Sequence, residues 1–122
     1  MMLSEAPASI AARPFAQPSW RRALLQFGHT LLLYAVAMYL MFALLPISWF
    51  LTLPLALVAA AAYLRLFMIG HDCTHRSYLP TRWQNNALGN IIGVLTNTPL
   101  EYWGNQHAKH HRTTGNLDRR GA

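Results

Sequence analysis

Charged side chains are scarce in this sequence, and their scarcity limits the class of protein that it encodes. Asp, Glu, Lys and Arg make up 11% of the 122 residues, whereas hydrophobic residues make up 53%. A soluble domain of this size would need a more polar surface. The 10 basic and 4 acidic residues would suit nucleic acid or an anionic lipid surface, but long apolar runs favour lipid. We therefore predict a membrane protein with no nucleic-acid partner.

Cysteine is nearly absent as well. The single residue, Cys73, excludes an internal disulfide and a cysteine-rich zinc module, and we expect it to be a small packing residue. The N-terminus lacks a basic segment followed directly by an apolar one, so it does not resemble a secretory signal. Pro7, Pro14 and Pro18 disfavour a continuous helix there. Residues 1–19 are therefore expected to form a loose tail before a domain at 20–122.

Two long stretches carry almost no charge. Residues 23–45 contain no charged residue and would extend roughly 34 Å as a helix, enough to cross a bilayer core. Pro46 ends this stretch, and a second one follows at 49–70. Each stretch is longer than the helices of soluble cores usually remain so apolar. The sequence thus predicts an all-α membrane protein that begins with a two-span transmembrane hairpin.

Basic residues flank this predicted hairpin, and none lies in the short turn at 46–48. Arg13, Arg21 and Arg22 precede the first span. The basic residues that follow the second span are Arg76, Arg82, Lys109, Arg112, Arg119 and Arg120. By the positive-inside rule, both termini and the C-terminal segment are predicted to be cytoplasmic. Arg65 would lie near the cytoplasmic end of its span, within reach of the interface.

A weakly apolar stretch at 85–99 follows the second span. Gly89, Gly93 and Pro99 interrupt it, and it is too short to cross a bilayer. Trp83 and Trp103 flank it, and tryptophan is enriched at the headgroup level of membranes. We expect a shallow interfacial or re-entrant helix in this stretch.

Five of the six histidines fall into two short clusters. In HDCTH, His71 and His75 are four residues apart; in HAKHH, His107 precedes His110 by three residues and His111 by four. These spacings place the rings of each cluster on one face of a helix. Imidazole binds iron, copper, zinc and nickel, so the spacing predicts a metal site without naming the metal.

Three other polar side chains need an interpretation. His29 stands alone in the first span and is expected to form a hydrogen bond rather than to bind metal. Asp72 and Asp118 would either accept the free ring N–H of a ligating histidine or remain solvated carboxylates.

The two clusters resemble those of one enzyme family, the membrane fatty acid desaturases. GHDCTH is similar to the first histidine box of that family, and HAKHH followed by RTTGNLDRRG is similar to the second. The resemblance covers roughly residues 20–121, including the order of spans and boxes. It implies two irons held by histidines at the cytoplasmic face, with His71, His75, His107, His110 and His111 as ligands. It also implies dioxygen, a ferredoxin or cytochrome b5-like electron donor, and a fatty acyl lipid or thioester as substrate.

The sequence departs from this family in one large respect. The resemblance implies two further spans and a third histidine box, and none follows the second box here. We therefore expect an N-terminal part of a desaturase that is inactive alone. The sequence leaves open the acyl carrier, the double-bond position, the electron donor and the oligomeric state.

Two other functions are compatible with these residues. A hydroxylase or ketolase would use the same histidine frame, because hydroxylation and desaturation begin with the same hydrogen abstraction. A non-catalytic membrane remnant or metal-binding module is the alternative of a different class.

Overall fold

A computed structural model describes residues 17–116 and residue 118, and every regular element in this part is a helix. The expected tail at 1–19 falls mostly outside the described residues. The helices are α1 (Trp20–Leu44), α2 (Trp49–Thr74), α3 (Arg82–Leu95) and α4 (Leu100–Thr113). The predicted all-α class is confirmed.

The first two helices correspond to the two uncharged stretches. They have 25 and 26 residues, and a tight turn that contains Pro46 separates them. α2 does not end at Gly70, as the predicted span did, but continues to Thr74. His71 therefore lies within the last turn of α2, and His75 is its C-terminal cap.

Small residues at regular spacing pair α1 with α2. Buried positions recur every seven residues on both helices. They are Ala23, Thr30 and Ala37 on α1 and Thr52, Ala59, Leu66 and Cys73 on α2, where Ala62, Ile69 and Gly70 are buried as well. A seven-residue repeat keeps one seam in contact along both helices, and small side chains allow the backbones to approach closely. The two threonine hydroxyls donate to carbonyls one turn earlier, so the seam contains no unsatisfied polar group from them.

The remaining surface of this helical pair is apolar and exposed. Within the most apolar 18-residue window, only 11% of α1 and 28% of α2 is buried. A core helix of a soluble protein would be mostly buried, whereas a membrane helix can leave its apolar side chains to lipid. Leu25 and Leu57, for example, are each 74% exposed. Both helices are long and apolar enough to span a membrane, and their exposure indicates membrane association.

α3 folds back along α2. Ile92 contacts Gly70, where a Cβ atom would lie 3.0 Å from the Ile92 side chain. One turn earlier on α3, a Cβ atom at Gly89 would lie 3.1 Å from the Cβ atom of Cys73. At the far end of α3, the hydroxyl of Tyr63 donates to the carbonyl of Thr96. The predicted helix within 85–99 is therefore present, antiparallel to α2; its depth in a membrane stays a prediction.

Two side chains hold the loop between α2 and α3. Asn85 is fully buried; it accepts from the backbone N–H of Leu79 and donates to the carbonyls of Leu79 and Thr81. Tyr78 donates its hydroxyl to the carbonyl of Ala23, and burial raises the Tyr78 pKa to about 12. This last bond joins the end of α2 to the beginning of α1.

A tight turn between α3 and α4 reverses the chain again. The N–H of Thr98 donates to the carbonyl of Gly93 at 2.8 Å. A Cβ atom at Gly93 would lie only 2.7 Å from the Thr98 carbonyl oxygen, so the backbones approach too closely for a larger residue. The turn directs α4 back towards the C-terminal end of α2.

Candidate metal centre

The first pair of histidines is positioned by the last turn of α2. Because the helix continues past Gly70, His71 and His75 lie on one face, with ring centroids 4.6 Å apart. The Thr74 hydroxyl donates to the carbonyl of His71, which satisfies a carbonyl near the end of the helix.

The second pair is positioned by α4. His107 and His111 are four residues apart, and their ring centroids are 4.4 Å apart. Glu101 lies in the first turn of α4 and Arg112 in the last, an arrangement that the helix dipole favours.

The two pairs meet at one atom, Nε2 of His107. The Nε2 atoms of His71, His75 and His111 lie 3.0, 3.1 and 2.9 Å from it, respectively. One ligand nitrogen from each of the four rings can be chosen so that all lie within 4.8 Å of one another. Residues from two helices therefore converge on one small volume.

Hydrogen bonding alone does not explain this arrangement. A neutral imidazole nitrogen either donates one proton or accepts through one lone pair, so Nε2 of His107 can satisfy only one of its three neighbours. Four lone pairs around a cation have no such conflict. One nitrogen from each ring lies within 4.8 Å of the others, and a cluster of imidazole nitrogens is a donor set that suits a metal ion.

Asp72 is placed to orient one of these rings. Its Oδ1 atom lies 3.2 Å from Nδ1 of His71. A proton on Nδ1 is stabilised by this carboxylate and leaves the lone pair on Nε2, the atom that faces His107. The other candidate, Asp118, is exposed, and its backbone N–H bonds to the Asn116 side chain.

The electrostatics of the cluster favour neutral rings. Burial, followed by repulsion from His71 and His111, lowers the pKa of His75 below its usual 6.5. Burial also lowers the pKa of His107, and its four neighbouring histidines lower it further, His111 most. Neutral imidazole is the form that binds metal, so these shifts prepare the site for a cation.

The other two histidines lie outside the four-ring group. The ring centroid of His110 is 6.2 Å from that of His107 and 6.1 Å from that of His111. His110 is thus adjacent to the cluster but not part of the converging set. His29 is exposed on α1 and does not belong to that set either.

Trp103 is a site residue that sequence reasoning assigned only to the headgroup level. Its ring stacks on His107 with centroids 4.5 Å apart and planes inclined by 14°. Its ring centroid also lies 5.3 Å from that of Phe67 and 5.7 Å from that of His71, in edge-to-face arrangements. Trp103 precedes His107 by four residues, so helical spacing already placed both on one face of α4. That spacing was the signal that could have identified it.

The fold and site define a membrane-associated helical protein with a cluster of histidines that could hold a metal ion. Comparison with known proteins gives the family: the model described as Fatty acid desaturase matches residues 47–121. The chain belongs to the fatty acid desaturase family.

Several characterised relatives support this assignment. A fatty acid desaturase of Bacillus subtilis (strain 168) is 39% identical over 107 residues, which are 88% of this chain and 30% of the relative. An sn-1 acyl-lipid omega-3 desaturase (ferredoxin) of Nostoc sp. (strain 36) is 34% identical over 95% of this chain and 32% of its own length. An sn-1 oleoyl-lipid 12-desaturase of Picosynechococcus sp. (strain ATCC 27264 / PCC 7002 / PR-6) is 34% identical over 82% and 27%. No solved structure matches the chain.

These relatives are much longer than the present chain, which spans about 30% of their length. Family membership and the four converging histidines together indicate a metal-binding protein.

Proposed function

We propose that this chain provides two histidine boxes of an iron-dependent acyl-lipid desaturase. The observation that supports the proposal most directly is the convergence of three histidine Nε2 atoms on Nε2 of His107. The relatives named as acyl-lipid desaturases support the substrate class, and the one named with ferredoxin supports a ferredoxin-like electron donor.

The proposed reaction removes two hydrogens from adjacent methylene groups of an acyl chain. Two electrons come from the two C–H bonds and two from the donor, and together with four protons they reduce dioxygen to two waters. No side chain can oxidise an unactivated methylene; two irons, when bound, would supply this chemistry. Histidine suits such a site because it is not a readily oxidised ligand, unlike thiolate.

The chain's own residues have three roles in this proposal. Five histidines hold metal, namely His71, His75, His107, His110 and His111. All of them except His110 form the converging set. Asp72 holds the proton on Nδ1 of His71, and Trp103 packs against His71 and His107 to fix the rings. Packing and hydrogen bonds around the ligands help to preserve their geometry.

The site also lies where a lipid substrate can reach it. His71 and His75 directly follow the apolar part of α2, whose side chains are largely exposed. An acyl chain dissolved in the membrane would approach along this surface, while a soluble electron donor would approach from the water side. We propose that the histidine boxes and both termini are cytoplasmic, in agreement with the basic flanks of the hairpin.

A chimaera tests this function in a complete enzyme. The chain would replace the corresponding segment of the Bacillus subtilis relative, with which it shares 39% identity, in a host that lacks its own desaturase. Gas chromatography of the host lipids should show a new unsaturated fatty acid. His75→Ala and His111→Ala should each abolish it, whereas His29→Ala should not. A hydroxylated product would instead favour a hydroxylase, and full activity of both histidine variants would exclude the proposed site.

A further inference from the structure

A second polar feature lies beside the histidine cluster. A cavity of about 520 Å³ opens between α3 and α4 next to the end of α2, and Thr74 and Gly104 contribute to its wall. Its polar lining consists chiefly of two guanidinium groups, three amides and one carboxylate, from Arg76, Arg82, Asn86, Asn90, Asn105 and Glu101. Neither the histidines nor Trp103 line it. The metal site therefore does not account for these side chains.

The cavity has a cationic end and an amide-lined wall. Arg82, Asn86 and Asn90 are spaced four residues apart, so they form one stripe on α3 that is about 12 Å long. Glu101 and Asn90 also line a neighbouring cavity of about 580 Å³ at the turn between α3 and α4. Glu101 consequently lies near the turn, at the opposite end of the stripe from Arg82.

The two arginines are available for a ligand. Among the residues that the structure describes, the one ion pair is between His71 and Asp72, and within this part neither Arg76 nor Arg82 pairs with a carboxylate. Arg82 is also the first residue of α3, where the helix dipole adds positive potential. Guanidinium groups bind phosphate with paired, charge-assisted hydrogen bonds.

Other basic residues lie near the cationic end of the cavity. The hydroxyl of Tyr78 bonds to the carbonyl of Ala23, so the start of α1, with Arg21 and Arg22, lies beside the loop that carries Arg76. Basic residues from three parts of the chain thus surround one end of the apolar helical pair, as at a membrane surface rich in anionic lipid.

We propose that this cavity binds the phosphate-bearing headgroup of a glycerophospholipid. The phosphate contacts Arg76 and Arg82, and the hydroxyl or ester oxygens receive hydrogen bonds from the amides of Asn86, Asn90 and Asn105. A concave, amide-lined cavity suits a small polar group better than the flat surface of a partner protein. That the bound lipid also carries the acyl chain to be desaturated rests on the proposed function; the binding itself does not.

Calorimetric titration of the purified chain in neutral detergent micelles tests the site. The probe is short-chain phosphatidylglycerol, and the comparison lipid is a diacylglycerol of the same chain length without phosphate. We expect saturable binding of the phospholipid and at least about tenfold weaker binding of the neutral lipid. Arg76→Asn together with Arg82→Gln should weaken phospholipid binding about tenfold. Asparagine is chosen because residue 76 has a φ of 57°, which asparagine tolerates.

A charge-matched control separates a defined site from general attraction to a basic protein. Lys109→Gln together with Arg112→Gln removes the same charge from exposed positions of α4 that do not line the cavity, and binding should be retained. An equal loss in both double variants, or no loss in the first, would overturn the proposal. Competition by glycerol 3-phosphate at the same concentration as the lipid would overturn the lipid assignment in favour of a soluble phosphate ester.

The readout requires neither metal nor product, so its failure is distinct from failure of the proposed desaturation. His111→Ala should bind phospholipid as the unmodified chain does. Circular dichroism should show unchanged helix content for each variant, so that a loss of binding reports on the cavity.

Discussion

The Nε2 atom of His71 lies 3.0 Å from the Nε2 atom of His107, although the two residues are 36 positions apart in the chain. The intervening segment makes this contact possible. α3 runs back along α2, the turn after it reverses the chain, and α4 returns to the end of α2. The convergence of the histidines therefore depends on packing between α2 and α3, although α3 itself contains no histidine.

The first prediction concerns metal affinity. Removing the imidazole of His107 should have the largest effect, because the other three Nε2 atoms all face it. We expect His107→Ala to lower the affinity for ferrous iron at least about tenfold in an anaerobic calorimetric titration. His110→Ala should lower it less, because the His110 ring lies outside the converging set.

His29→Ala is the matched control for that series. His29 is exposed on α1, so its loss should leave iron affinity unchanged. If His29→Ala and His107→Ala weakened binding equally, iron would be bound nonspecifically and the site would be misassigned. A loss in His110→Ala as large as in His107→Ala would make His110 a full member of the ligand set.

The second prediction is a pH dependence of the metal-free chain. The pKa values of His75 and His107 are lowered by burial and by neighbouring histidines, so below pH 6.5 the unfolded chain binds more protons than the folded one. Stability should therefore fall as the pH falls through 6.5. Thermal unfolding in micelles at pH 7.5, 6.5 and 5.5 would measure the midpoint, and His75→Gln with His107→Gln should reduce the slope. A midpoint that rises on acidification would contradict the argument.

The third prediction concerns the turn between α3 and α4. Gly93→Ala would place a Cβ atom 2.7 Å from the carbonyl oxygen of Thr98, a backbone atom that cannot rotate away. We expect a loss of about 1–3 kcal/mol in unfolding free energy, together with weaker iron binding because α4 shifts. Gly28→Ala is the control: its Cβ meets nothing within 4 Å, and alanine should gain about 0.5–1 kcal/mol in the helix. Equal midpoints for both variants would refute the close approach at Gly93.

Local features of the fold and site could be predicted from the sequence. The length of the two apolar stretches predicted α1 and α2. Helical spacing predicted that His71 lies beside His75 and that His107 lies beside His111. The seven-residue repeat of Ala23, Thr30 and Ala37 is also present in the sequence and indicates the contact face of α1. The length of the apolar stretch predicts the span without it.

The other features depend on tertiary packing. The sequence around Gly70 and around Ile92 does not specify that these two residues are in contact, because the contact depends on the angle at which α3 leaves the loop. The separation of His110 from its neighbours has the same origin. His110 and His111 are consecutive on α4, about 100° apart around the helix, so only the rotation of α4 against α2 decides which of them faces His75.

The fourth prediction tests the loop that sets this angle. Asn85→Ala would leave the buried N–H and carbonyl of Leu79 without their side-chain partner. We expect a loss of about 2 kcal/mol or more in unfolding free energy. Asn86→Ala, an exposed neighbour on the same helix, should change stability by less than about 0.5 kcal/mol. Thermal unfolding of both variants in micelles gives the comparison, and similar midpoints would show that Asn85 does not hold the loop.

The last prediction is the membrane topology. The bond from Tyr78 to the carbonyl of Ala23 places the start of α1 and the end of α2 together, so both ends of the hairpin must lie on the same side if both helices span. The basic flanks and the uncharged turn at 46–48 predict that this side is cytoplasmic. A reporter active only in the cytoplasm should therefore work at either terminus, and one fused within residues 46–48 should not. Activity of a periplasmic reporter at either terminus would reverse the topology and place the histidines away from a cytoplasmic electron donor.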